Sequence, residues 1–289
     1  LYFDLDACLK HAREGLGYSE KVGGTIWDGL LLGQEINSFL SRGDLQEARK
    51  CLEFYRSMTY SLPPLSVSYY HQRMAWYCVA RGDLDEALYS AEEGVRFALE
   101  AGIPNNLGYA LIVSAEIHLA RKDFEGTKEI LSDALRIARE LSNPLMSFKC
   151  GLLRARLSYN EGEDMKGDQH LSEALGIARR NGIRNWQFLS RQELTRITLR
   201  AIVKNIEFDY VSALIRLWGI EQEGDLWDLD MWPWYLKIYT MGRFQLMRNG
   251  EVMNFKGKVQ EKPLELLKAI ISLGGRGVSS GSVGTVAIT

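Results

Sequence analysis

The sequence predicts a mainly α fold: a right-handed α-α superhelix of stacked helix pairs, followed by a small C-terminal β-hairpin or sheet with one helix. One unit recurs at a fixed period. The stretch RGDLDEALYSAEEGVRFALEAG (residues 81–102) is announced 39 residues earlier by Arg42-Gly43-Asp44-Leu45. It is announced again 40 residues later by Arg121-Lys122-Asp123-Phe124, and after another 40 by Glu161-Gly162-Glu163-Asp164. The ends of the units agree independently: residues 91–102 match 12–23, and 131–142 and 171–182 fall in the same register. A period in this range with no strand signal inside it indicates a helix-pair solenoid. From Tyr235 the apolar period changes to two, which indicates strands.

Residues 1–22 read as one helix, the back half of a repeat whose front half is expected upstream of the chain. Four pairs follow at about 24–60, 65–101, 105–141 and 144–181. In each, the first helix ends at the Gly-Asp turn, where Gly or a small polar residue takes the left-handed conformation. The aspartate then caps the next helix through its side-chain oxygen. Small residues recur where helices must approach closely: Ala75, Ala115 and Ala155 on first helices, and Ala48, Ala87, Gly94, Ala134 and Ala174 on second helices. Residues 183–220 read as a degenerate pair of capping helices, 185–202 and 210–220, that shields the last repeat from water. The array therefore spans 1–220. Residues 221–234 (EQEGDLWDLDMWPW) read as an acidic, Trp-rich linker.

Four widely spaced cysteines (Cys8, Cys51, Cys78, Cys150) form neither a disulfide framework nor a metal cluster, which points to a reduced cytosolic compartment. No apolar run reaches the ~18 residues of a membrane span. The net charge of −2 is unevenly placed. Residues 235–280 carry eight Lys/Arg against three Asp/Glu, a balance of +5 that leaves −7 for the remainder. That asymmetry suggests two jobs in one chain.

The small residue eight positions into the first helix, Gly-Asp at the turn, Ala five residues on and another small residue seven later together resemble the tetratricopeptide repeat. The units are longer than usual for that repeat and resemble the sensor array of MalT-like (STAND-type) bacterial transcriptional regulators over residues 1–182. Gly167, where Ala is the pattern, and Ile36, in place of a small residue, depart from it. In the C-terminal stretch, YLKIYTMGRFQLMRNGEV followed by KPLELLKAIISLGGRGVSS resembles the start of an OmpR/PhoB-type winged-helix domain of the bacterial transcriptional activator group. Asn249-Gly250 is a hairpin signal, and Pro263 suits a helix start. The match covers residues 235–280. After Ser280 the family needs a second helix, a recognition helix and a wing, whereas the chain offers GSVGTVAIT, poor in base-reading side chains. The domain is therefore expected to be truncated and 281–289 to be an unstructured tail. No recognition residue carries over; Lys256, Lys258 and Lys262 are expected at most to touch phosphate.

In tetratricopeptide arrays the first helices line the concave face. Counting from the turns places Tyr69, Gln72, Trp76, Tyr109, Glu116, Lys149, Arg156 and Tyr159 there. Aromatic rings with interspersed charges suit a small-molecule inducer or a peptide. The plainer reading stays open: the rings fill interhelix seams and the charges are solvated. His11, His71, His118 and His170 lack a metal-binding or catalytic pattern, and Cys78 and Cys150 read as small buried apolar groups. Residues 274–280 lack the Lys-Ser/Thr of a phosphate loop.

No enzyme activity, cofactor, metal or membrane contact is expected. The resemblance implies a cytoplasmic sensing segment of a regulator, with an ATPase module upstream and DNA contacted only through a complete winged helix. The alternative is a protein-binding scaffold without DNA output. A homo-oligomer is left open.

Overall fold

The computed structural model describes residues 5–23, 27–184, 186, 189–220, 231–240, 242, 244–254 and 261–274. It divides into two compact units, 1–232 and 233–289.

The first unit is an α-α superhelix of helix pairs. A single helix, α1 (Leu5–Val22), precedes α2 (Asp28–Arg42) and α3 (Leu45–Met58). Then come α4 (Pro64–Arg81) with α5 (Leu84–Ala101), α6 (Pro104–Ala120) with α7 (Phe124–Glu140), and α8 (Pro144–Asn160) with α9 (Asp164–Arg180). Prolines 64, 104 and 144 open α4, α6 and α8 at the first turn, where the missing N–H costs nothing. Consecutive first helices (α2, α4, α6, α8) touch one another, whereas extended contact between consecutive second helices is absent among the described residues. The stack therefore curves with its first helices inside. The close approach rests on the small residues: Ala48, Ala75, Ala87, Ala115, Ala134 and Ala174 are fully buried.

The turns follow the expected chemistry with three exceptions. The left-handed position is Gly43, Gly82 and Gly162, but in the third pair it is Lys122 at φ 63°. Asp83 and Asp123 accept from the backbone N–H of Glu86 (3.2 Å) and Gly126 (3.0 Å). Asp44 makes no such bond, and the fourth turn presents Glu163, also without one. Ile36 is wholly buried. Gly167 is explained by its neighbour: an added Cβ would lie 2.3 Å from the Tyr159 ring.

The terminal pair is α10 (Arg191–Val203) and α11 (Phe208–Trp218). The start of α10 lies later than the periodicity from 185 suggests. The Ser190 hydroxyl accepts from Glu193 N–H while the Glu193 carboxylate accepts from Ser190 N–H, a reciprocal cap that fixes the boundary. Asn185 and Phe188 lie outside the described residues. Trp186 is wholly buried, 5.1 Å from the Phe148 ring and 4.9 Å from that of Trp218. These rings close the end of the stack. Of the Trp-rich segment only 231–234 is described, with Trp232 buried.

The second unit holds a three-stranded antiparallel sheet, β1 (Leu236–Tyr239), β2 (Gln245–Arg248) and β3 (Glu251–Val252), then α12 (Glu261–Ser272). Asn249 and Gly250 both have positive φ (53° and 87°), as a two-residue hairpin requires. Leu246 on the central strand is buried, while Leu236 on the edge strand is 42% exposed. On α12 the buried residue is Ala269, and Leu266 is exposed. Lys256, Lys258 and everything after Gly274, including 281–289, lie outside the described residues. No described helix is long and apolar enough to cross a membrane.

Gly167→Ala is expected to destabilise the chain by about 1–3 kcal/mol, because the Tyr159 ring must move. Gly94→Ala meets nothing nearer than 3.6 Å and is expected to be neutral or to stabilise by up to about 1 kcal/mol through helix propensity. Urea unfolding of the two variants checks the pair.

Candidate functional site on the inner helices

Residues seven apart share one face of a helix, and the 40-residue repeat lines up such pairs across the stack. Tyr69, Tyr109 and Lys149 form one row, on α4, α6 and α8. Trp76, Glu116 and Arg156 form the next. The two rows meet because the inner helices are close. Lys149 Nζ lies 5.3 Å from the Tyr109 ring and 5.9 Å from the Trp76 ring, so one side chain on α8 reaches a residue of α4. Trp76 Nε1 donates to Glu116 Oε2 at 2.9 Å. Arg156 pairs with Glu193, the capping residue of α10, which ties the array to its terminal pair.

The surface is half-dry, and its ionisable groups respond. Burial lowers the Lys149 ammonium to about 8; Arg73 pushes it the same way, and Glu116 opposes. Burial likewise raises the Glu116 carboxyl, against the pull of Arg156, Lys149 and the Trp76 hydrogen bond. Both shifts disfavour the charged form, the signature of a low-dielectric floor.

At its centre is a residue absent from the sequence-based set. Arg73 is 8% exposed. Its Cζ lies 5.3 Å from the Tyr69 ring and 5.7 Å from the Trp76 ring. The guanidinium lies against Gly33 of α2, where an added Cβ would stand 3.1 Å from Nε. Its Nε has no hydrogen-bond partner, and among the described residues no carboxylate stands within ion-pair distance of it. The signal was in the period: the positions 40 and 80 residues on are Val113 and Leu153, both 2% exposed. Arginine occupies a slot that later repeats fill with hydrocarbon.

Three of the expected residues are committed elsewhere. Gln72 is 2% exposed, and its amide donates to Ser68 Oγ and Asn106 Oδ1, each at 3.1 Å. It is an interhelix bridge, not a groove residue. Tyr159 donates to Asp168 at 2.9 Å and lies under Arg200, which binds Asp168 through two nitrogens at 2.6 and 2.9 Å. It belongs to the seam between α8, α9 and α10. Arg156 serves mainly the link to Glu193. Tyr69, Trp76, Tyr109, Glu116 and Lys149 do come together, with Arg73 against Tyr69 and Trp76. Lys262 is exposed on α12.

Elsewhere, a cleft of about 500 Å³ between α3, α4 and α5 is lined by Arg56, His71, Glu86, Glu93 and Phe97. Its charges are largely matched: Glu86 faces Arg81, and Glu93 binds Arg96. The cysteines are all free, with Cys78 and Cys150 buried. Among the described residues no group of three His, Cys, Asp or Glu is placed to hold a metal.

No family model matches the sequence, and no curated protein matches it. Solved structures are similar in part. One is a signal transduction ATPase with numerous domains (STAND) with a tetratricopeptide repeat sensor, from Pyrococcus horikoshii, at TM-score 0.46 and 14% identity over 66% of this chain; the chain spans 30% of that protein's length. Another is BtubC (BKLC) from P. vanneervenii, at TM-score 0.49 and 15% identity, over 75% of this chain and 85% of that one.

The shifted lysine makes stability depend on pH. Its folded pKa, about 8, lies below the ordinary 10.5. Between those values the unfolded chain binds more protons, so this contribution rises with pH across that window and the penalty is full below it. Replacing Lys149 by Met removes the dependence. The unfolding free energy of the parent minus that of Lys149→Met is expected to climb by about 1–3 kcal/mol between roughly pH 7.5 and 10. A flat difference in urea titrations at the two pH values would contradict a desolvated Lys149.

Proposed function

We propose that the helical array is the receiving segment of a bacterial transcriptional regulator. A ligand or protein partner seats on the inner face of α4, α6 and α8, and its binding sets the state of an attached DNA-binding domain whose start is the basic C-terminal unit. The observation that supports this is the gathering of two cations, a carboxylate and three aromatic rings from three helix pairs on one inner surface. A molecule that touches α4 and α8 together favours one curvature of the stack over others. It then shifts a conformational equilibrium by its difference in affinity for the two states. In this reading the segment performs no reaction and holds no cofactor; an ATPase module upstream, implied by the MalT-like resemblance, supplies the switch. A sheet followed by a helix, in a stretch with a balance of +5, supports a DNA-facing output over a scaffold that only binds protein.

A thermal-shift screen of small molecules is expected to find ligands that raise the melting temperature by binding the folded array. Trp76→Ala is expected to weaken the best of them about tenfold or more. Unchanged affinity in the variant would remove the inner face as the site. The chain itself is expected not to recognise DNA, because residues 281–289, GSVGTVAIT, are poor in base-reading side chains. Sub-micromolar, sequence-selective binding in an anisotropy titration at physiological salt would overturn that.

A further inference from the structure

Arg73 poses a physical problem that the packing does not solve. A guanidinium taken out of water is costly unless it is paired and hydrogen-bonded. This one is 8% exposed, holds an unpartnered Nε and has no carboxylate within ion-pair distance among the described residues. The two rings beside it offer cation–π attraction but no counter-charge. A core needs no arginine here, since Val113 and Leu153 fill the equivalent slots. A second cation, Lys149, stands close enough to Arg73 for the two to repel. The nearby carboxylate, Glu116, is already engaged by the Trp76 indole at 2.9 Å and shared with Arg156 and Lys149. Among the described residues, the Arg73 guanidinium is thus left without a paired counter-charge.

We propose that Arg73 and Lys149 form a receptor site for the oxyanion of a small molecule, a carboxylate or phosphate, whose attached flat or apolar part lies on Trp76 and Tyr109. The proposal rests on the reading of the inner face as a sensor and names the chemistry that face selects. An oxyanion supplies the missing counter-charge and accepts charge-assisted hydrogen bonds from the guanidinium. Removed from water between two cations, it gains more than it would on an exposed surface. Tyr69 and Gly33 flank the guanidinium and limit its movement before the ligand arrives.

The test is calorimetric titration of the chain at pH 7 and constant ionic strength with inorganic phosphate, phenyl phosphate, acetate and benzoate. The phosphates and carboxylates separate the two oxyanions, and the phenyl compounds report the aromatic contribution. At least one aryl oxyanion is expected to bind more tightly than its parent anion. Arg73→Leu, which installs the residue type of the later repeats, is expected to weaken it about tenfold or more, Arg73→Lys less, and Lys149→Gln measurably. Urea unfolding of Arg73→Leu without ligand is expected to show equal or greater stability. A marked loss of stability in Arg73→Leu would make Arg73 a structural residue and overturn the proposal. So would the absence of binding by all four probes at millimolar concentration, or equal binding by the parent and Arg73→Leu. Uncharged ligands that bind in a Trp76-dependent, Arg73-independent way would overturn this inference and leave the sensor reading standing. Failure of every ligand and partner to bind the inner face would remove both.

Discussion

The close approach of the first helices is the constraint on which the rest of this structure depends. Ala75 and Ala115 are fully buried, and Ala155 is 1% exposed, one in each of three successive repeats. Short side chains there let each inner helix pack tightly into the core, and α4, α6 and α8 touch in succession on the inside of the curve. That proximity brings Lys149 to the rings of Tyr109 and Trp76 and brings the Trp76 indole to Glu116. It also dries the surface. In water these side chains would be an ordinary mixture of charges, worth little to stability. In the narrowed groove the lysine is pushed toward its neutral form and the carboxyl toward its acid form. The packing of hydrocarbon on one side of each helix thereby sets the electrostatics on the other.

Much of this was legible in the sequence, because a 40-residue period is a geometric statement. Two residues that far apart sit at the same place on successive helices, so the rows Tyr69–Tyr109–Lys149 and Trp76–Glu116–Arg156 follow from counting. The helix pairs, the hairpin at Asn249-Gly250 and α12 follow from turn chemistry and apolar spacing. What counting does not give is which side of a half-buried position a long side chain takes. Gln72 lies one position from Arg73 and turns into an amide bridge with Ser68 and Asn106. Tyr159 finds Asp168 on its own partner helix. Lys122 takes a left-handed turn that glycine fills in three other pairs, because the flanking helices dictate the path. Arg73 occupies a slot that apolar spacing assigns to the core, and its mismatch with Val113 and Leu153 is the signal that marks it.

That mismatch joins the fold to the function. A repeat array tolerates a polar residue in its core at a cost, and neighbouring repeats show that hydrocarbon fits. The cost is offset when an anion arrives and occupies a groove lined by three repeats at once. Stability in a stacked array is a sum over units and their interfaces, so a ligand that bridges α4, α6 and α8 strengthens two interfaces together. Such a change in the rigidity or curvature of the stack is the kind of signal that a neighbouring module can read.

Arg73 and Lys149 share one partly desolvated floor, and the Arg73 charge disfavours the charged form of Lys149. The most direct test is the pKa of Lys149, followed by NMR of its side chain, in the parent and in Arg73→Leu. The parent is expected to titrate near 8, and removal of Arg73 is expected to move the value upward as the repulsion is relieved. A parent value at the ordinary 10.5, or one that does not move when Arg73 is replaced, would contradict the account.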